Sequence, residues 1–194
     1  MAETVILVNG LPGAGKSTLA AQLGDELGVP VVSKDSIKEA LADLCLGRVG
    51  SGKLGQIASE TMWQLVAAVP GTAIVESWWY RPRDLGFVRE GLAQSGNPRV
   101  TEVWCELPPG QAWERYLDRQ RHAVHPTGNA AQRDWAEWSA NAVPLGVGRT
   151  VPVDTSAPVD AASLVGRLAV AAARPAAAAA VHPKEATGIG SLGT

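Results

Sequence analysis

The chain is poor in the residues that staple or anchor a protein. Its 194 residues include only two cysteines, Cys45 and Cys105, too few for a disulfide framework. Each sits in an apolar run, so each is expected to be a buried thiol in a reducing compartment. No apolar run is long enough to span a bilayer. The opening "ETVILVNG" has neither a basic leader nor a cleavage site, which sets the expectation of a cytoplasmic, soluble protein with no membrane partner. A net charge of −2 gives no global basic footprint for duplex nucleic acid and leaves open only a local basic groove. His122 and His125 have no cysteine or carboxylate partners at metal-ligand spacing, so a zinc site is not expected. Lysine is scarce as well. There are five against twelve arginines, and Lys16, Lys34 and Lys38 all fall in the first 38 residues. A sequence that prefers arginine keeps lysine where a compact, flexible charge is useful.

What is present is alternation. Short apolar runs at "TVILVN" (4–9), "VPVVS" (29–33), "TAIVE" (72–76), "RVTEVWCEL" (99–107) and within "GRTVPVDTS" (148–156) read as strands. Helical spacing occupies 17–28, 36–46, 56–69, 82–96, 109–123, 130–143 and 160–174, with Ile37, Leu41 and Leu44 on one face of the second. Strands alternating with helices predict an α/β domain with a mainly parallel sheet and helices on both faces. The domain is expected to occupy residues 1–174. The Ala- and Pro-rich stretch 175–194 reads as a disordered tail or, alternatively, a helical extension.

"GLPGAGKST" (10–18) fits G-x-x-x-x-G-K-[ST] between an apolar strand and a helix, the context that makes the pattern specific for phosphate. Gly13, Ala14 and Gly15 let backbone N–H groups turn around phosphate oxygens, and the helix that follows points its positive end at the same anion. Lys16 reaches the β- and γ-phosphates. Ser17 offers a hydroxyl to Mg²⁺, and Thr18 completes the cradle. "GRVGSGKL" (47–54) repeats the spacing, but it lacks the hydroxyl and the preceding strand; it reads as a flexible loop.

Five stretches together resemble the small P-loop kinases of the AAA_33 family: "GLPGAGKSTLA", "VVSKDSIKEAL", "AIVESWWYRPRDL", "WERYLDRQRH" and "VPVDTSAPVD". The resemblance spans about residues 4 to 172 and is similar to that of chloramphenicol phosphotransferase and bacteriophage polynucleotide kinase. It implies a P-loop NTPase fold with a five-stranded parallel sheet, an Arg-rich lid at about 109–130, and ATP and Mg²⁺ as cofactors. It also implies that Asp35 is the base that accepts a proton from a hydroxyl, although Asp before "SIKEAL" is equally a helix N-cap. Lys38 is then an acceptor contact or a solvated lysine. Glu76 ends the third strand, where P-loop proteins keep an acid that holds Mg²⁺ through water; as Glu rather than Asp it serves that role or orients the acceptor. Trp78 either stacks on the acceptor or packs, Trp79 is expected to pack, and Arg81 and Arg83 bind an anionic acceptor or sit exposed. The resemblance implies that Arg119 and then Arg115, four apart on one helix face, are the lid guanidiniums; the alternative is a helix on which Glu114 and Asp118 hold the arginines. The resemblance implies that Thr155 or Ser156 borders the adenine, although Ser156 also reads as a helix cap.

The resulting expectation is an ATP-dependent kinase acting on a hydroxyl of a small molecule such as a sugar, nucleoside or secondary metabolite. The alternatives are a 5′-hydroxyl polynucleotide kinase and, in another class, a nucleotide-dependent switch or binding module. The acceptor and the oligomeric state are not legible in the sequence.

Overall fold

The computed structural model describes residues 1–125 and 128–173. Five strands, β1 (Ala2–Asn9), β2 (Val31–Ser33), β3 (Gly71–Glu76), β4 (Arg99–Glu106) and β5 (Arg149–Asp154), form one sheet in the order β2-β3-β1-β4-β5. Every pairing is parallel. The strands are linked through α1 (Lys16–Leu27), α2 (Lys34–Leu44), α3 (Ser51–Ala68), α4 (Arg81–Gln94), α5 (Pro109–Asp118) and α6 (Gly128–Asn141), and α7 (Ala161–Ala173) follows β5. Two apolar clusters cover the two faces. One joins Ile6, Val8, Leu19, Leu23, Val103 and Leu164; the other joins Val5, Leu7, Met62, Trp63, Val75 and Val88. Alternate residues of β1 enter opposite clusters, as the two-residue period of a strand requires. The central strand is thus buried on both faces, and its carboxyl end opens at the edge where α/β proteins bind ligands.

Several local expectations are corrected. The second glycine loop is only half a loop. Gly50 caps α3, and Ser51 to Gly55 are helical because Leu54, Ala58 and Met62 form a buried stripe at four-residue spacing. Lys53 sits on the exposed side of that helix, donating to Gln56. α2 buries Lys38 and Ala42, not the Ile37–Leu41–Leu44 face; Leu44 is 80% exposed. Cys45 is half-buried, whereas Cys105 is buried under the phosphate loop, where burial pushes its thiol up to about 12. The Arg-rich helix stops at Asp118, five residues early, as Arg119 turns extended. The expected tail at 175–194 lies outside the described residues.

Candidate active site

The site is assembled from the carboxyl ends of β1, β2 and β3. Gly13 and Gly15 have φ of 85° and 80°, a backbone conformation that suits glycine. A Cβ on Gly13 would also run into the carbonyl oxygen of Ala112, so α5 packs directly on the loop. Lys16 opens α1, and its buried Nζ donates to the Leu11 carbonyl at 3.0 Å. Burial lowers its pKa, opposed by Glu76, Cys105 and Asp35. This is a cation held out of water beside a ring of backbone donors, which is the environment an oligophosphate would complete.

Glu76, 3% exposed, accepts from Ser33 Oγ at 2.8 Å and from Ser17 Oγ at 3.4 Å. A hydroxyl and a carboxylate side by side are hard oxygen donors of the type Mg²⁺ takes. The residues therefore fit a magnesium nucleotide. Among the described residues, no three of His, Cys, Asp and Glu converge as a metal cluster.

Asp35 is not the cap of α2. The N-cap of α2 is Ser33, whose Oγ accepts from Ser36 N at 3.4 Å. Asp35 sits in the first turn and its side chain is 50% exposed, leaving the carboxylate free of capping. It lines a cavity of about 220 Å³ together with Lys16, Ser17, Lys38, Glu76, Trp78 and Arg119. Seven of the expected residues thus meet on one space. Lys38 is buried there, donates to Ser51 Oγ at 2.8 Å and has its pKa lowered by burial; it is not a solvated lysine. Trp78 is on the wall, with its ring centroid 6.3 Å from Trp138, and its buried Nε1 has no hydrogen-bond partner among the described residues. Trp79 packs in the core, as expected.

Two expected residues are placed elsewhere. Arg81, at the start of α4, is not on the cavity wall; Arg83, one helical step on, is. Arg115 and Arg119 do not share a face, because the helix ends between them. Arg115 instead donates to the carbonyls of Thr155 at 2.9 Å and Ser156 at 3.0 Å. With Gly15, Thr18 and Thr155 it lines a separate cavity of about 370 Å³ behind the phosphate loop. Thr155 itself is buried, its hydroxyl donating to Glu106 O.

The structure also gives partners to Arg121, His122 and His125, for which the sequence offered none. Arg121 stacks over the Tyr116 ring at 4.6 Å from its centroid and lies 3.9 Å from Asp35. His125 meets Glu39 at 2.7 Å and His122 meets Asp43 at 3.0 Å. These histidines do have carboxylate partners, but on α2, about eighty positions away in the chain. Asp35, Glu39 and Asp43 are spaced four apart, and this acidic stripe carries the segment 121–125 over the site. Beneath the site, Asn9 and Glu102 are wholly buried. Asn9 Nδ2 donates to Glu102 Oε1, and Asn9 Oδ1 accepts from Gly10 N and Trp79 N. Glu102 also accepts from the N–H groups of Leu145 and Gly146. No motif marks Glu102; an acid among apolar residues in the middle of "RVTEVWCEL" is the only signal.

The family model of AAA_33, described as an AAA domain, matches residues 5–145. The chain belongs to this family. A protein of Chloroflexus aurantiacus provisionally named a kinase is 25% identical, with a TM-score of 0.70 over 86% of this chain and 97% of that one. A gluconokinase from Sinorhizobium meliloti is 19% identical, with a TM-score of 0.59 over 88% and 95%. Shikimate kinase from Acinetobacter baumannii, solved with shikimate, is 18% identical, with a TM-score of 0.58 over 87% and 92%. A search of curated proteins finds no match. The AAA_33 chain shares the fold of these P-loop kinases: a five-stranded parallel sheet flanked by helices. Among the described residues no helix is long and apolar enough to cross a membrane.

Proposed function

We propose that this protein is an ATP-dependent kinase that phosphorylates a hydroxyl of a small molecule, with Asp35 as the base. The observation that carries the reading is the placement of Asp35. Its carboxylate is free of the helix cap and faces the same small cavity as Lys16, Ser17 and Arg119. Phosphoryl transfer asks chiefly for positioning and for positive charge around the transferring group. The loop at 10–18 holds the triphosphate, with Lys16 against the β- and γ-phosphates. The cavity beside Thr18, Arg115 and Thr155 suits the nucleoside. Bound Mg²⁺, held by Ser17 with Glu76, would neutralise part of the phosphate charge. Asp35 orients the acceptor hydroxyl and takes its proton as the new O–P bond forms. The bond from the γ-phosphorus to the bridging oxygen breaks, and the electron pair leaves with ADP. Arg119 and Arg121 enter the same cavity and meet the charge that develops on the transferring group.

The neighbours' names support the reading at the level of chemistry: gluconokinase and shikimate kinase are small-molecule kinases. The test uses γ-labelled ATP and Mg²⁺ with two sets of acceptors, small polyols, nucleosides and sugars in one and a 5′-hydroxyl oligonucleotide in the other. Label on a member of the first set is the expected result. Label on the oligonucleotide alone, falling steeply with salt, would move the assignment to a polynucleotide kinase. Nucleotide binding that alters a protein partner, with no label on any acceptor, would make it a switch.

A further inference from the structure

The acceptor side of the cavity holds more positive charge than the nucleotide needs. Its wall carries six cations, Lys16, Lys34, Lys38, Arg83, Arg119 and Arg121, against two carboxylates, Asp35 and Glu76. Asp84, bonded to Arg83, adds a third. A magnesium-bound triphosphate brings about two net negative charges, which still leaves roughly one positive charge over. That charge is localised. Lys16 is committed to the phosphate loop, and Arg121 stands over Tyr116 against Asp35. Lys34 has no hydrogen bond or ion pair among the described residues, although it is half-buried and burial lowers its pKa. Asp84 and then Asp35 oppose that shift, and Arg83 adds a smaller push in the direction of burial. Arg83 is itself braced. Its Nε and Nη2 donate to the two oxygens of Asp84 at 2.7 Å, and Asp84 Oδ2 also accepts from Tyr80 N. One edge of the guanidinium is fixed and Nη1 remains available.

Lys34, with no acceptor for its ammonium donors among the described residues, and Arg83, with Nη1 available, line the same cavity, and an anion shared between them would satisfy both. We infer that the acceptor is a compact hydroxylated monoanion, its carboxylate received by Lys34 and Arg83 while its hydroxyl faces Asp35. This inference rests on the kinase reading and specifies its substrate class. A carboxylate matches the single surplus charge, whereas a phosphate monoester carries nearly two. Lys38 hydrogen-bonds Ser51 with one of its three donors and keeps the others for acceptor hydroxyls. Trp78 and Trp138 add apolar surface to the same lining. The volume of about 220 Å³ suits a small molecule rather than a polymer.

The experiment separates binding from transfer. The full chain is loaded with Mg²⁺ and a non-hydrolysable ATP analogue. Tryptophan fluorescence is then followed during titration with hydroxy acids of three to seven carbons, gluconate and glycerate among them. Their neutral amides and alcohols are titrated in parallel. Saturable responses to acids but not to their neutral counterparts are expected. Affinity for the responding acid should fall about tenfold or more in Lys34→Met and in Arg83→Gln, with nucleotide affinity unchanged. Arg83→Lys, which keeps the charge, recovers part of the loss. Silence of every acid, equal response to the neutral compounds, or tighter binding of a 5′-hydroxyl dinucleotide overturns the inference. An unchanged acid affinity in Lys34→Met does the same. ADP release from ATP is measured in parallel. Acid binding without ADP release leaves the anion site standing and removes the kinase reading. ADP release with neutral acceptors alone does the reverse.

Discussion

The floor and the roof of the site are built by opposite means. The floor is the pair Asn9 and Glu102, with no exposed surface and every contact a hydrogen bond to backbone or to each other. It fixes the first residue of the phosphate loop, the Trp79 backbone and the 145–146 loop in one network. The roof, 121–125, is held by one long arginine–carboxylate pair and two histidine–carboxylate hydrogen bonds, whose acidic partners are 38 to 75% exposed. Removing a partner from a buried network leaves polar groups unsatisfied, at about 1–3 kcal/mol each. An exposed ion pair contributes roughly 0–1 kcal/mol and is screened by salt. The floor is therefore a rigid reference against which phosphate is positioned. On the proposed kinase reading, so weakly held a roof can open for substrate and product.

Substitutions in the two regions sharpen the contrast. The largest effect is expected at the point where floor and roof converge. Lys16→Met should lower transfer by about 10²–10³ or more, read in initial rates. It should not lower the melting temperature, because the buried amine is an electrostatic burden on the fold. The sign follows from its lowered pKa. Below the folded-state value both states are protonated, and the penalty is full; it shrinks as pH rises toward 10.5 and is gone above it. The stability gap between wild type and Lys16→Met should therefore narrow in alkaline solution. A melting temperature well below wild type would show that the Lys16–Leu11 bond outweighs burial.

Next comes the floor. Glu102→Ala is expected to cost about 3 kcal/mol in denaturant unfolding, since Asn9 and two backbone N–H groups lose their acceptor. Glu102→Gln, which keeps an acceptor oxygen, should cost less. Equal losses would mean that the carboxylate charge, not the hydrogen bonding, holds the network.

The smallest effect belongs to the roof. Glu39→Gln and Asp43→Asn should each change stability by less than about 1 kcal/mol. The observable consequence is a rise in KM for nucleotide, as the segment 121–125 loses part of its hold on α2. A stability loss comparable to that of Glu102→Ala would make roof and floor alike and end the distinction.

The same contrast explains what the sequence revealed. The phosphate loop, Ser17 and Asp35 are local patterns, each readable from a strand end and a few following residues, and β1 and β3 contain short apolar runs, whereas β4 carries Thr101, Glu102 and Glu106 among its apolar residues. Glu102 and Asn9 acquire meaning only from contacts about ninety residues apart. The lid misled because Arg115 and Arg119 look equivalent at four-residue spacing, yet the helix ends between them. That single break sends Arg115 to the loop after β5 and brings Arg121 to Asp35. Arg81 and Arg83 could not be ranked from spacing either, since the bond to Asp84 decides which guanidinium is braced on the wall. Lys34 showed only in the bias toward early lysines.

The central claim is that Asp35 acts on the acceptor and not on the helix or the nucleotide. The most direct test compares wild type with Asp35→Asn, measuring MgATP affinity and transfer to an accepted hydroxyl compound in the same preparation. Unchanged nucleotide affinity with transfer reduced by about 10²-fold or more is the predicted result. Full transfer by Asp35→Asn would contradict it, and the base would have to be sought elsewhere in the cavity.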